Sequence, residues 1–425
     1  MRISLGATSV LLTLFFPIVT AKRPHHAGAA VAHRTNSPST LEHSLNPRRS
    51  ASTSHPKPHA KRKRKHKSKR TSTPSTVKRA VATKSRRSTA PAAADKPKKK
   101  TKRSRRHKKR ASTTYTLTQQ SLGGYSFFDQ WDFFTAADPT HGSVDYVSST
   151  TAWANGLVYV PDSGRNSTVM RIDSWSNLTY GANRQSVRIS SKEKFTFGSI
   201  VVADLAKIPF GPTVWPAIWT LGDNWPNGGE IDIVEGVHDY AQNQMTLHTA
   251  QGCMLKTPLQ AVGSVLTTDC NANINSNTGC GVQDPSQSSF GSAFNAKGGG
   301  VFALKWDEDG VAMYFFQRDS IPSDLSSGSP NPSSWGLPRA KWDAASCNPQ
   351  QYFADQTIVI NLTIGGDWAG ATYNAAGYPG DWRAAVQDPK NYIDAAFEIN
   401  SIKVYQQQKP GLLGLGLKSH LQTAQ

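Results

Sequence analysis

The chain has 425 residues, with 49 lysines and arginines against 29 acids and a formal net charge of +20. The excess is uneven: residues 1–110 hold 31 basic residues and two acids (Glu42, Asp95), leaving 18 basic and 27 acidic residues in the remainder. The pI of 9.8 therefore averages two unlike parts, which excludes a nucleic-acid reading drawn from overall charge.

In chain order, Met1-Arg2 precedes an apolar run from Ile3 to Val19 that closes on Val19-Thr20-Ala21. A basic start, an apolar core and small exit residues predict a signal peptide over 1–21 and a secreted, extracellular or cell-wall protein. The rival reading is an uncleaved anchor, since the run is nearly long enough to span a bilayer. Lys22 and Arg23 weakly favour that rival. With the signal cleaved, no stable membrane span is expected.

Residues 22–110 are rich in Lys, Arg, Ser, Thr, Pro and Ala and contain no aromatic residue. Such a segment cannot bury enough apolar surface to offset its ordering entropy, so disorder is predicted. Its runs Lys61–Arg70 and Lys98–Arg110 suit anionic polymers. The missing aromatics argue against base stacking, hence against specific nucleic-acid recognition. Lys109-Arg110 also reads as a processing site at which the segment is discarded.

The composition turns globular at about Thr113, beyond which lie all 11 tryptophans and all 12 tyrosines. Short β-rich runs alternate with Gly, Asn, Asp and Pro clusters: Phe195-Thr-Phe-Gly-Ser-Ile-Val-Val, Gln356-Thr-Ile-Val-Ile-Asn-Leu-Thr-Ile and Phe397-Glu-Ile-Asn-Ser-Ile-Lys-Val-Tyr. Val301–Trp306 and Val311–Phe316 flank Asp307-Glu-Asp-Gly310 and read as a hairpin. No long stretch keeps a helical period with caps at both ends. The pattern predicts one all-β domain over 111–408, a two-sheet sandwich or jelly roll, followed by a tail over 409–425.

Four cysteines without a Cys-x-x-Cys pair suggest two disulfides rather than zinc. Three pairings are open; Cys270–Cys280, closing a short Asn-rich loop, and Cys253–Cys347 are expected. Sequons at Asn166, Asn177 and Asn361 fit the same compartment.

The informative segment is Gly228-Gly-Glu-Ile-Asp-Ile-Val-Glu-Gly236. In a regular strand Glu230 and Asp232 share a face, while Glu235 points the other way. Gathering all three requires one extra residue, a β-bulge, a feature frequent beside active sites. Glu230 and Glu235 would stand about 17 Å apart on an ideal strand and roughly 13–14 Å apart on a bulged one. Inward-leaning side chains would leave roughly 5–6 Å between carboxyls, nearer the spacing of retaining than of inverting glycosidases. Clustered carboxylates also drive their pKa values apart, so one can stay an acid while another stays charged. The bland alternatives, a solvated acidic edge or a calcium site, leave the surrounding tryptophans unexplained.

These residues resemble glycoside hydrolase family 16, within it the fungal laminarinase-like endo-β-1,3(4)-glucanases. The resemblance covers about residues 115–407. It rests on Phe127-Phe-Asp-Gln-Trp-Asp-Phe, Asp138-Pro-Thr-His-Gly, Trp215-Pro-Ala-Ile-Trp, Gly229-Glu-Ile-Asp-Ile-Val-Glu-Gly, Asn243-Gln-Met-Thr-Leu-His-Thr, Ile360-Asn-Leu-Thr and Ser401-Ile-Lys-Val-Tyr-Gln. It implies a curved jelly roll with β-glucan in its concave cleft, and neither cofactor nor metal. Glu230 matches the family nucleophile, Glu235 the acid/base and Asp232 the carboxylate that tunes the nucleophile. His248 matches a residue near the acid/base, and Trp219 and Trp225 match cleft tryptophans. By looser alignment Asn155, Arg188 and Trp368 line glucose subsites. Some family members carry extra cysteines where this chain has Ile364-Gly-Gly-Asp-Trp368 and Gly377-Tyr-Pro-Gly380, which implies a looser loop beside the cleft. Transglycosylation and turnover-free glucan binding remain the alternatives; the intact acid triplet speaks against the second.

Overall fold

The computed structural model describes residues 113–408, apart from 163 and 165. The expectations for 1–21, 22–110 and 409–425 lie outside the described residues. Within them two eight-stranded sheets carry the fold, and no helix is longer than six residues.

The first sheet, which bears the site, runs in spatial order Ser264–Val265, Cys280–Gln283, Gln244–His248, Glu230–Glu235, Val214–Gly222, Gln356–Ile364, Arg188–Ser191 and Trp131–Phe133. The second is built on the long strand Ala396–Gln407. One side of that strand pairs with Ser199–Lys207, and the other is divided between Thr168–Arg171 and Tyr115–Leu122. The strand Gly300–Asp307 adds to Ser199–Lys207 and continues into the hairpin with Gly310–Gln317, whose register is unbroken from Gly300↔Gln317 to Asp307↔Gly310. Gly310 takes φ 123, which favours glycine at the close of this turn.

The two sheets meet in one apolar core. Ile218, Ile231, Leu247, Ile358 and Ile360 of the site sheet join Val201, Leu205, Phe302, Leu304 and Val404 of the other. The strand Val214–Gly222 shows how period two divides the labour. Val214, Pro216, Ile218 and Thr220 are buried, whereas Trp215, Ala217, Trp219 and Leu221 line a cleft on the opposite face. Gln356–Ile364 is buried almost throughout, because one face meets the core and the other backs the cleft. The strand expected from Phe195 starts only at Ser199. Gly198 at φ 89 breaks the extended run, and Phe195 keeps a single bridge to Gln356.

The cysteines pair as Cys253–Cys347 and Cys270–Cys280, all four nearly inaccessible. Cys253 follows a strand of the site sheet and Cys347 a strand of the other, Ala340–Asp343, so this bridge ties the layers together.

Candidate active site

The strand Glu230–Glu235 breaks step where its acid spacing requires. Against Val214–Gly222, Asp232 faces Trp219 and Val234 faces Ile218, leaving Ile233 as the extra residue. Ile231, Ile233 and Val234 consequently all enter the core, while Glu230, Asp232 and Glu235 line one cleft of about 390 Å³. A bulge leaves backbone groups without ladder partners, and fully buried Asn243 supplies them. Its Nδ2 donates to the Ile233 carbonyl (2.9 Å), and its Oδ1 accepts from the Glu235 amide (3.0 Å). Asn243 is thus part of the site's scaffold, a role invisible in its sequence position.

Each outer carboxyl has its own indole donor. Trp225 Nε1 donates to Glu230 Oε2 at 2.5 Å, and Trp215 Nε1 donates to Glu235 Oε1 at 2.9 Å. Trp215, not singled out from sequence, lies four residues before Trp219 on the same strand face, and that spacing was its available signal. Burial first, and the neighbouring Asp232 charge second, push Glu230 up to about 7 and Glu235 up to about 8. The indoles and His248 act in the opposite sense on both.

His248 lies opposite Glu230 in the ladder and sets Nε2 3.3 Å from Asp232 Oδ2. The family resemblance placed it near Glu235; its direct contact is with Asp232. Its Nδ1 meets Asn277 Oδ1 at 2.8 Å. Burial alone would lower its pKa, but the contact with Asp232 and the charges of Glu230, Asp232 and Glu235 outweigh burial and raise it to about 10. Glu230, Asp232 and His248 also bring ligand-type atoms within 4.8 Å of one another, close enough to share a cation, although His248 already directs both nitrogens at protein acceptors.

The other expected residues divide. Trp219 lines the cleft and donates to Asn361 Oδ1 (2.7 Å). Arg188 lines it too, with its guanidinium over Trp219 (5.2 Å) and Phe134 (4.4 Å) and a buried Nε free of protein partners. Trp225 is 42% exposed at the rim. Trp368 is not among the lining residues; it is half-buried and edge-on to Trp215 at 5.7 Å. Asn155 is not among the lining residues: it ends the helix Ser149–Ala154, and its Nδ2 is given to Gln185 Oε1 (2.8 Å).

One further expectation is corrected, and the loop beside the cleft has its own contacts. Asn361 is 8% exposed and hydrogen-bonded to Trp219 and Thr363, so its sequon offers no free amide to a glycan, unlike exposed Asn166 and Asn177. The segment around Trp368–Gly380 is tied without extra cysteines. Thr213 N donates to His238 Nδ1, His238 Nε2 meets Thr372 Oγ1, Thr372 Oγ1 donates to the Trp368 carbonyl, and the Tyr378 hydroxyl donates to Asp239.

Residues 131–405 match the family described as XgeA-like, catalytic GH16 domain. A probable glycosidase of Schizosaccharomyces pombe is 43% identical over 69% of this chain and 70% of its own length. A probable endo-1,3(4)-beta-glucanase of Aspergillus clavatus is 39% identical over 69% of this chain, which spans only 47% of that protein. Among solved structures, GH16 Laminarinase 16A from Phanerochaete chrysosporium, holding beta-glucans in donor and acceptor sites, is 38% identical with a TM-score of 0.66, covering 69% of this chain and all of that one. An elongating GH family 16 beta-1,3-glucosyltransferase is 36% identical with a TM-score of 0.64 over the same shares.

Proposed function

The chain belongs to glycoside hydrolase family 16, with the family's jelly roll, and on that premise we propose that it is a retaining endo-β-glucanase cutting internal β-1,3 or mixed 1,3-1,4 linkages. The observation that carries this reading is the bulged strand that turns Glu230, Asp232 and Glu235 into one cleft, with a separate indole donor on each outer carboxyl.

In this reading Glu235, matched to the family's acid/base, holds a proton that burial and the Asp232 charge help it keep, and Glu230, matched to the nucleophile, is the charged carboxylate. Glu235 gives that proton to the glycosidic oxygen as the bond to the anomeric carbon breaks. The Glu230 carboxylate attacks the same carbon from the opposite face, forming a glycosyl ester. Glu235, now charged, takes a proton from water, and the water oxygen displaces Glu230 with the β-configuration restored. Asp232 and the His248 cation flank Glu230 and balance the charge that passes through it. Trp219, with Arg188 beneath it, offers an apolar face for the C–H surface of a sugar ring. Proton NMR of the first product should show the β-anomer; initial α-anomer overturns the double displacement.

A second reading keeps the chemistry and replaces water with a sugar hydroxyl. The likeness to an elongating glucosyltransferase, nearly equal to the likeness to a laminarinase, supports it. Product sizing at high substrate concentration decides: chains longer than the substrate mean transfer, and only shorter ones mean hydrolysis.

A further inference from the structure

His248 is enclosed by a loop whose two ends are fastened on either side of it. Cys280 pairs with Leu247, one residue before His248, and Thr249, one residue after, bridges to Asn271 and donates to the Cys270 carbonyl. The Cys270–Cys280 bond closes those ends covalently. Between them Asn275, Ser276 and Asn277 take φ 49, 54 and 58, three successive left-handed residues. Asparagine tolerates the left-handed region better than most side chains, but three such residues in succession are unusual and persist where the surroundings hold them. Its outcome is that Asn277 Oδ1 reaches His248 Nδ1 at 2.8 Å. Gly279, at φ 59, completes the enclosure, since a Cβ there would fall 2.8 Å from His248 Cε1.

We propose that Asn277, set by the disulfide-closed loop, is a positioning residue that holds His248 on Asp232 and so acts on the carboxylates through the imidazole. The chemistry follows from the inventory of donors. An acceptor at Nδ1 requires a proton there, and the Asp232 oxygen 3.3 Å from Nε2 favours a second one. The Asn277 hydrogen bond orients the ring, and the Asp232 charge beside Nε2 favours the imidazolium. The titratable groups facing the ring are Glu230, Asp232 and Glu235, and its charge lowers the proton affinity of both glutamates. The Cys270–Cys280 bond thereby serves the site as well as the fold, through a chain of contacts from loop to amide to imidazole to carboxylate.

The inference rests on the catalytic reading of Glu230 and Glu235, and two substitutions at 277 test it in the full chain. Asn277→Gly suits the left-handed backbone but removes the acceptor; Asn277→Asp keeps an acceptor and tolerates the same backbone. In Asn277→Gly, the His248 pKa read by NMR should fall by about one unit, and kcat on β-1,3-glucan should fall about tenfold with KM little changed. Asn277→Asp should hold the His248 pKa at or above the parent value, because its added charge favours the imidazolium, and should keep kcat closer to the parent than Asn277→Gly does. The double variant Cys270→Ser/Cys280→Ser should resemble Asn277→Gly; where it fails to fold, the pair at 277 still decides. Unchanged His248 titration in Asn277→Gly, or a change in KM alone, overturns the proposal, the latter pointing to a direct sugar contact. Full activity in Glu230→Gln would instead defeat the catalytic reading, which keeps the two failures separate.

Discussion

Asp307, Glu308 and Asp309 form as dense an acidic cluster as Glu230, Asp232 and Glu235, and the structure treats the two in opposite ways. The first closes a hairpin of unbroken register, with Glu308 and Asp309 exposed and Lys305 Nζ 2.5 Å from Asp307 and 3.4 Å from Asp309. The second lies on a bulge at the cleft floor, its outer carboxyls held by indoles and, among the described residues, its one ion-pair contact that of His248 with Asp232. Burial raises the pKa of Asp307 as well, but there a lysine works against it. An acid becomes a usable proton carrier where burial is left uncompensated by a permanent cation, and a neutral N–H orients it without extinguishing its basicity.

The largest test of this contrast is substitution within each cluster. Glu230→Gln and Glu235→Gln should each lower kcat by about a thousandfold or more, whereas Asp307→Asn should leave it within about twofold. Azide should separate the two glutamates: Glu235→Ala should yield a β-glycosyl azide, and Glu230→Ala at most the α-azide. Identical products would merge the roles.

Smaller effects should follow from the indoles. Trp225→Phe removes a hydrogen bond that favours charged Glu230, so the acid limb of the kcat/KM profile should move to higher pH. Trp215→Phe does the same to Glu235 and should move the alkaline limb upward. Each should cost about tenfold at the parent's optimum. A shift of the wrong limb would show that the indoles do not act separately.

Stability should register the same burial. The folded-state pKa values of Glu230 and Glu235 lie above the ordinary 4.5, at about 7 and about 8, so the native state binds more protons than the unfolded chain between those limits. Stability must then fall as pH rises from about 4.5 to about 8. Glu230→Gln and Glu235→Gln should melt a few degrees above the parent at alkaline pH and converge with it in acid. At the small end, Asp307→Asn loses the ionic contact with Lys305 while its amide oxygen still accepts from the Asp309 amide, and urea unfolding should show a loss of about 1 kcal/mol.

What the sequence disclosed depended on whether a feature was local. The odd separation of Glu230 and Glu235 demands a bulge from parity alone, and Asp-Gly marks a hairpin by turn chemistry, so both were readable. Gln356–Ile364 was recognisable because a short run so rich in Thr, Ile and Val has few other destinations. Asn243 was not: its partners are the Ile233 carbonyl and Glu235 amide, backbone groups that carry no signature. Asn277 was equally hidden: an Asn-rich loop suits left-handed backbone, but nothing in the composition says that one of its amides meets His248. The Asn361 sequon misled because a three-residue pattern is blind to burial, and Phe195 misled because a single glycine three residues later ends the extended run.

The Cys253–Cys347 bond closes a circuit of 94 residues that holds strands of both sheets. A protease that cuts once anywhere between those two cysteines opens the circuit without releasing a fragment. The nicked molecule remains one covalent object, with each new end still anchored to the layer opposite. Such damage would go unseen on a non-reducing gel and appear only after thiol treatment, so survival of activity after nicking need not mean that the backbone is whole.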